Sequence, residues 1–331
     1  MARRELLTQG LVVAAGAGLL PANGAVAEEG ATATRPAGKS TLRFFPGFKD
    51  FLIATAGATI NGIVGGSGPP LLLLHGWPQS HVEWRKITPA LTQHFTVIAT
   101  DLRGYGDSTK PPDGDKHEGY SKRSMASDQV EVMKRLGHER FLVVGHDRGG
   151  RTAHRMALDF PDAVLKVAVI DIVPTLKLYS TVTKEFATVY AHWFFMLAPA
   201  PIPETLYMNS ADFYLRSQWF KGLIPDAISE DAYSEYLRGF KDPGTVHAMC
   251  EDYRAAAGID LEHDKADLGS KVRCPLLTLW GGKGAMDRLY DVIGTWRERA
   301  SNVTGKPLPG GHWLPEQLPQ EVTAELLAFL L

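Results

Sequence analysis

The sequence predicts an α/β fold in which a mostly parallel sheet carries helices on both faces and an inserted helical cap. From about Phe48, short apolar runs alternate with stretches of helical spacing, which is the pattern of a parallel sheet with helical connections. After Pro174 the chain becomes helical and rich in aromatic residues, with no clear strand before about Gly258. Such an insertion would cover the carboxyl ends of the strands, where open α/β sheets bind ligands.

The individual elements are predicted from apolar runs bounded by turn residues. Residues 52–63 predict an antiparallel pair that turns near Gly57. The later elements follow in alternation, with strands at 71–74, 95–99, 141–144, 167–170 and 275–280, and helices at 124–136, at 149–159 and from about Pro319.

The N-terminal segment is predicted to be an export signal. Arg3-Arg4, the apolar residues 11–20 and Ala25-Val26-Ala27 form a basic region, an apolar region and a small-x-small cleavage site. The arginine pair resembles a twin-arginine signal, so we expect export to the bacterial periplasm, or retention in the cytoplasm if the leader is not functional. The predicted organisation is a signal (1–27), a linker (28–47), the first part of the core (48–173), the cap (174–258) and the second part of the core (259–331).

Composition excludes several classes of partner. The 331 residues carry a net charge of -2, which gives no reason to expect nucleic acid or an acidic membrane surface. Cys250 and Cys274 form neither a metal-ligand spacing nor a disulfide framework. No stretch after the leader is long and apolar enough to span a bilayer, so we expect no stable membrane association once the signal is removed.

The central strand leads into a sharp turn at Gly145-His-Asp-Arg-Gly149. This segment has the small-x-nucleophile-x-small spacing of a nucleophile elbow, in which small flanking residues let the chain reverse and expose the central side chain. The central residue is Asp147, which would otherwise only cap the following helix. We therefore predict that Asp147 is the nucleophile.

An aspartate nucleophile narrows the chemistry. A carboxylate acylates poorly, but it displaces a leaving group from saturated carbon and so forms an alkyl ester of itself. A base-activated water then hydrolyses that ester at the carboxyl carbon of the enzyme. Dehalogenation and epoxide opening are the reactions that this sequence of steps performs.

From about Phe48 to the C-terminus the chain resembles the α/β-hydrolase fold, and within it the haloacetate (fluoroacetate) dehalogenases. Haloalkane dehalogenases and many epoxide hydrolases carry Trp directly after the nucleophile, where this chain has Arg148. The motifs that carry the resemblance are His75-Gly-Trp-Pro78, Gly145-His-Asp-Arg-Gly-Gly-Arg151, Asp171-Ile-Val-Pro-Thr175, His192-Trp193, Cys250-Glu-Asp-Tyr-Arg254 and Gly311-His312.

The resemblance implies the remaining catalytic residues. His312, in a late loop, matches the base that activates water. Asp171, after the sixth strand, matches the acid that orients the histidine, although many members of the fold place this acid after the seventh strand, near Asp287. The backbone N–H groups of Trp77 and Arg148 would form the oxyanion hole.

The substrate-binding residues follow from the same match. Arg148 and Arg151 lie on one face of the first helical turn, and two guanidiniums beside a nucleophilic carboxylate suit a carboxylate substrate held in bidentate fashion. His192, Trp193 and Tyr253 match the halide pocket of the family, with an imidazole N–H, an indole N–H and a phenol O–H as donors.

We therefore predict an enzyme that converts haloacetates to glycolate and halide without a metal or organic cofactor. The resemblance also implies a homodimer. One alternative is an epoxide hydrolase with the same nucleophile and base, which needs two cap tyrosines: Tyr253 and another, such as Tyr179 or Tyr214. A second alternative, from another class, is a small-ligand receptor that has lost turnover.

Overall fold

The computed structural model describes residues 40–331, so the predicted export signal and the linker up to residue 39 lie outside the described residues. The last part of the predicted linker packs against the core. A 3₁₀ helix spans Thr41–Phe44, and Phe45 directly after it is buried. The Thr41 hydroxyl lies 2.9 Å from Nε2 of His81.

An eight-stranded sheet with the order β1-β2-β4-β3-β5-β6-β7-β8 forms the centre of the molecule. The first two strands form an antiparallel hairpin, β2 also runs antiparallel to β4, and the other neighbours are parallel, which confirms the predicted fold class. The strands are β1 (Lys49–Ala54), β2 (Thr59–Gly66), β3 (Pro70–Leu74), β4 (Thr96–Thr100), β5 (Phe141–His146), β6 (Val164–Ile170), β7 (Leu276–Gly281) and β8 (Val303–Leu308).

The inner strands are continuous apolar runs because layers on both faces exclude water from them. Leu71 to Leu74 in β3 are fully buried, and β5 and β7 are buried along their whole length. The last strand, β8, was missed by the sequence analysis. It is an edge strand with exposed residues at Thr304, Lys306 and Pro307, and so lacks the apolar run that marks the others.

Fifteen α-helices surround the sheet or form the cap within residues 40–331. Their bounds are α1 (Thr88–Leu91), α2 (Lys122–Arg135), α3 (Asp147–Asp159), α4 (Thr175–Ser180), α5 (Lys184–Val189), α6 (Ala191–Phe195), α7 (Ile202–Asn209), α8 (Ala211–Tyr214), α9 (Glu230–Phe240), α10 (Pro243–Ala257), α11 (Ile259–Ala266), α12 (Ala285–Leu289), α13 (Val292–Arg299), α14 (Leu314–Gln317) and α15 (Pro319–Leu330). Short 3₁₀ helices also span His81–Lys86 and Glu118–Tyr120, and a π-helical turn spans Leu215–Trp219.

Helices α4 to α11 form the cap between β6 and β7. The helical segment continues to Ala266, beyond the predicted boundary at residue 258, because α11 follows α10 after only Gly258. Strands β3, β5, β6 and β7 are parallel, so their carboxyl ends meet at one edge of the sheet. Within residues 40–331, no helix combines the length and the apolar character needed to cross a membrane.

Candidate active site

The predicted nucleophile stands at the turn between β5 and α3. Asp147 has a left-handed φ of 43°, and its side chain is buried. The flanking glycines are required by close backbone contacts: a Cβ on Gly149 would lie 2.2 Å from the Leu74 carbonyl oxygen, and one on Gly145 would lie 2.4 Å from the Gly149 carbonyl oxygen. The predicted elbow therefore forms at the carboxyl end of the central strand.

The loop after β3 supplies a backbone donor to this carboxylate. The Trp77 N–H donates to Oδ2 of Asp147 at 3.2 Å. The preceding amide, the Gly76 N–H, donates to Oε2 of the fully buried Glu83 at 2.8 Å, so the loop is itself held in place. The backbone amide of Arg148 directly follows the nucleophile, as the predicted oxyanion hole requires.

The predicted base is paired with Asp171. Nδ1 of His312 lies 2.5 Å from Oδ2 of Asp171, and the other carboxylate oxygen accepts from the Gly281 N–H at 2.9 Å. Asp287, the alternative acid, instead accepts a hydrogen bond from the Trp280 indole at 2.7 Å. Of the two candidate acids, only Asp171 contacts the histidine.

A buried ion pair between His146 and Glu83 supports the site, and the sequence analysis did not find it. Nδ1 of His146 lies 2.8 Å from Oε1 of Glu83, and its Nε2 lies 2.9 Å from the His312 carbonyl oxygen. Burial disfavours the charged imidazole, but Glu83 outweighs it and raises the pKa of His146 to about 9. A protonated His146 therefore links the loop of Gly76 to the loop of His312. In the sequence, the one feature that pointed to this ion pair was the histidine directly before the predicted nucleophile.

Opposing effects act on the charge of Asp147. Burial raises its pKa, but the electrostatic influence of the neighbouring His312, Arg151 and Arg148 outweighs burial and holds the pKa below its ordinary value. The carboxylate is therefore ionised at neutral pH, as displacement at carbon requires.

The two arginines are buried beside Asp147 but are held differently. Arg148 donates from Nε and Nη2 to the carboxylate of Asp252, and its guanidinium carbon lies 4.2 Å from the ring centroid of Tyr253. Arg151 donates from Nη1 to the Val173 carbonyl oxygen at 3.0 Å. Nη1 of Arg148 and Nε of Arg151 have no hydrogen-bond partner in the described part of the chain. The Nε–Nη2 edge of Arg148 is thus occupied by Asp252, and its remaining nitrogen, Nη1, is buried without a partner among the described residues.

A cavity of about 130 Å³ lies over Asp147, between the strand ends and the cap. This volume is well below that of pockets for drug-sized ligands, so the cavity suits a substrate of a few heavy atoms. Its lining combines the predicted catalytic residues of the core with cap aromatics, and comprises Trp77, Asp147, Asp171, Val189, Tyr190, His192, Trp193, Trp219, Ala285, His312 and Trp313. The predicted substrate-binding residues Arg148, Arg151 and Tyr253 are buried beside these groups and are not among the lining residues.

The three predicted halide-binding residues lie together in the cap. His192 and Trp193 line the cavity, and the Tyr253 ring centroid lies 5.7 Å from that of His192 and 5.4 Å from that of Trp193. Burial lowers the pKa of His192 to about 3, so this imidazole is neutral. Its Nδ1 has no hydrogen-bond partner within residues 40–331.

Other aromatic residues pack against the predicted halide-binding residues. The Trp77 ring stacks on His192 at 5.2 Å, and the Trp219 ring lies edge-on to His192 at 4.3 Å. The indole nitrogens of Trp77 and Trp219 also lack a partner among the described residues. Trp219 and Tyr190 had no assigned binding role from sequence, because a single aromatic in a helical segment is more often part of a core.

One group of residues in the described part of the chain has an arrangement that could hold a metal ion, and it lies away from the cavity over Asp147. Asp113, His247 and Glu251 place ligand atoms within 4.8 Å of one another, and none of them lines the cavity over Asp147. Their charges are met by ion pairs, with His247 Nε2 3.1 Å from Asp113 and Arg254 Nη1 2.7 Å from Glu251. The expectation of a metal-free reaction remains a prediction.

Comparison with known proteins places this geometry in a family. The family model for the alpha/beta hydrolase fold matches residues 69–317. A solved structure from Nostoc sp PCC 7120 is 53% identical, with a TM-score of 0.84, and the match covers 87% of this chain and 99% of that one. The chain therefore belongs to the α/β-hydrolase family.

Two curated relatives refine the comparison. A fluoroacetate dehalogenase from Burkholderia sp is 44% identical over 86% of this chain and 95% of its own length. A soluble epoxide hydrolase from Corynebacterium sp. (strain C12) is 37% identical over 82% of this chain and 95% of its own length. The predicted resemblance to the fluoroacetate dehalogenases is confirmed, and the chain is a hydrolase of this fold.

Proposed function

We propose that the protein hydrolyses haloacetates to glycolate and halide through an ester of Asp147. One observation most favours a carboxylate substrate. Arg148 and Arg151 are buried beside the ionised Asp147, and each of these two guanidiniums has a nitrogen without a hydrogen-bond partner among the described residues. An uncharged substrate would leave those buried donors unsatisfied. The similarity to a fluoroacetate dehalogenase supports the same substrate class.

In the first step, a carboxylate oxygen of Asp147 attacks the α-carbon of the haloacetate. A carbon–oxygen bond forms while the carbon–halogen bond breaks, and the halide leaves with the bonding electron pair. Arg148 and Arg151 hold the substrate carboxylate. Neutral N–H and O–H donors from His192, Trp193 and Tyr253 stabilise the departing anion, which matters most for fluoride because it leaves saturated carbon poorly.

In the second step, His312 removes a proton from water, which attacks the carboxyl carbon of the Asp147 ester. The oxyanion that develops is bound by the Trp77 and Arg148 amides. The intermediate collapses and releases glycolate, whose alkoxide takes the proton from His312. The other proton of the water is released when Asp147 ionises again. Asp171 keeps His312 in the tautomer whose Nε2 accepts a proton.

Epoxide hydrolysis is the second candidate. The similarity to an epoxide hydrolase favours it, and so does Tyr190, which lines the cavity and would pair with Tyr253 as a second acid. Tyr179 and Tyr214, the second acids suggested from sequence, do not line that cavity, and neither does Tyr253. The reaction gives no role to the charge of Arg148 or Arg151, so haloacetate hydrolysis is the better account.

The deciding experiment measures halide release and glycolate formation from fluoroacetate and chloroacetate, beside hydrolysis of styrene oxide. Wild type is compared with Asp147→Asn and Arg148→Ala. We expect halide and glycolate from wild type and loss of both in each variant. Epoxide turnover without halide release, unchanged in Arg148→Ala, would replace the proposal with the second candidate. Release of chloride but not fluoride would keep the mechanism and narrow the substrates.

A further inference from the structure

Asp252 lies behind the predicted carboxylate site and joins the cap to the core. It belongs to cap helix α10 and is fully buried. Three side chains of the core converge on its carboxylate: Arg148 of α3 (Nε at 2.9 Å), Tyr105 of the loop after β4 (2.8 Å) and Lys122 of α2. The Asp252 backbone carbonyl also accepts from Nη2 of Arg148 at 2.9 Å.

The charges in this cluster require that Asp252 be ionised. Burial raises the pKa of the Asp252 carboxyl, but Arg148 and Lys122 outweigh burial and lower it overall. Two buried cations with no anion would be strongly unfavourable, and one carboxylate with good hydrogen bonds to both offsets much of that cost. Lys122 is further held through its backbone N–H, which donates to Asp260 at 2.9 Å.

The contact also determines which part of Arg148 is available. Asp252 occupies the Nε and Nη2 nitrogens, and the Tyr253 ring packs 4.2 Å from the guanidinium carbon. A planar guanidinium fixed along one edge and covered by a ring has little freedom to rotate. Only Nη1 remains without a partner within residues 40–331.

Arg148 also interacts with a second carboxylate, that of Asp147. Its charge lowers the pKa of Asp147, so the two groups attract each other. Without Asp252, the released Nε–Nη2 edge would be free to pair with the nucleophilic carboxylate, which would reduce its reactivity and block the substrate position. The Asp252 pair keeps this edge away from Asp147.

We propose that Asp252 is a positioning residue that holds Arg148 with Nη1 free for the carboxylate of the substrate. This role rests on the proposed haloacetate activity, since it concerns how the same site binds an acid. Asp252 does not touch the reacting atoms. It acts through Arg148, with Tyr105 and Lys122 as the groups that keep its own carboxylate in place.

The test compares an acid and its neutral isostere, chloroacetate and chloroacetamide, in wild type and Asp252→Asn. The amide variant keeps the shape of Asp252 but loses its charge and half of its acceptor capacity. We expect the ratio of kcat/KM for chloroacetate to that for chloroacetamide to fall about 10-fold or more, mostly through a higher KM for chloroacetate. If Asp252 only stabilises the fold, both substrates lose activity in parallel and the ratio stays unchanged, which would overturn the proposal.

A milder variant keeps the test decisive if Asp252→Asn does not fold. Tyr105→Phe removes one donor to Asp252 without altering Arg148, and we expect it to lower the same ratio by a few-fold. Asp252→Glu keeps the charge and should recover part of the lost preference. A Tyr105→Phe enzyme with the wild-type ratio would count against the positioning role.

Glycolate binding, followed by calorimetry, separates this proposal from the proposed function. If wild type binds glycolate without turning over chloroacetate, and Asp252→Asn binds it at least 10-fold more weakly, the positioning role stands and the haloacetate activity fails. If chloroacetate is hydrolysed but its ratio to chloroacetamide is the same in both enzymes, the activity stands and the positioning role fails. Wild type that neither binds glycolate nor hydrolyses chloroacetate would overturn both.

Discussion

The two sides of the cavity over Asp147 are built on different principles. On the core side, Asp147, Asp171 and His312 follow the ends of strands, and each charged group lies against an opposite charge or a backbone amide. On the cap side, His192 and Trp219 are uncharged aromatic groups, each with a buried nitrogen that lacks a partner within residues 40–331.

This difference follows from the cost of burying polar groups. A buried charge needs a partner, and rigid strand ends can fix such partners at hydrogen-bond distance. A neutral N–H without a partner costs much less, so the cap can keep several donors free for a ligand. We infer that the core performs bond making and hydrolysis, whereas the cap stabilises the leaving group. The following predictions test this division, from the largest expected effect to the smallest.

Replacement of the core base should stop the reaction after its first half. In His312→Gln the ester of Asp147 forms but water is not activated, so we expect one halide per enzyme and a steady-state rate lower by roughly 10³-fold or more. Mass spectrometry should find a carboxymethyl group on the peptide that contains Asp147. The Asp147→Asn enzyme, as the control, should carry no such label. Continued turnover at the wild-type rate would contradict the assignment of His312.

The two candidate acids should respond very differently. Asp171→Asn would donate a hydrogen bond to Nδ1 of His312, which places the imidazole proton on Nε2 and leaves no acceptor for water. We expect a loss of roughly 10²-fold to 10⁴-fold in kcat. Asp287→Asn is the matched control, because its amide oxygen still accepts from Trp280 and we expect nearly full activity. The reverse ranking in steady-state halide release would assign the acid to Asp287.

Changes in the cap should depend on the halide. His192→Phe keeps a ring to stack on Trp77 but removes the imidazole N–H. Since fluoride needs stronger hydrogen bonds than chloride when it leaves, we expect kcat for fluoroacetate to fall by roughly 10-fold to 100-fold and kcat for chloroacetate to fall less. An equal loss for both substrates would assign His192 to packing alone.

The smallest effect concerns stability against acid. The pKa of His192 is about 3 in the folded protein, below the ordinary value of 6.5, so the unfolded chain binds the proton more tightly. The contribution of neutral His192 to the free energy of unfolding is therefore lost as the pH falls from 6.5 toward 3, by about 1.4 kcal/mol for each pH unit. Between pH 7 and pH 5, His192→Phe should lose about 2 kcal/mol less than wild type in urea unfolding.

His146, whose pKa is shifted in the opposite direction to that of His192, serves as the control for this measurement. The pKa of His146 is raised to about 9 by its ion pair with Glu83, so its contribution is fully present below pH 6.5 and is lost as the pH rises through 9. Removal of His146 should therefore reduce the loss in the free energy of unfolding above pH 6.5. It should leave the loss that occurs as the pH falls below 6.5 unchanged. Equal acid slopes for wild type and His192→Phe would show that His192 is not held neutral.

Much of the fold was predictable because it depends on neighbouring residues. The buried strands are apolar runs, the elbow needs glycine at both flanks of Asp147, and the change to aromatic-rich helices after Pro174 marks the cap. The edge strand β8 and the continuation of the cap to Ala266 were missed, since neither has a distinctive local pattern. Motif resemblance added the candidate residues Asp171, His312 and the aromatic groups of the cap.

By itself, the sequence determined the order of the elements, the position of Asp147 on its turn and the presence of two arginines next to it. Only the tertiary structure decided that His312 pairs with Asp171 instead of Asp287, and that Asp252 occupies one edge of Arg148. The physical reason is distance along the chain. A turn or a buried strand depends on adjacent residues, whereas an ion pair joins side chains that only the folded sheet and cap bring together.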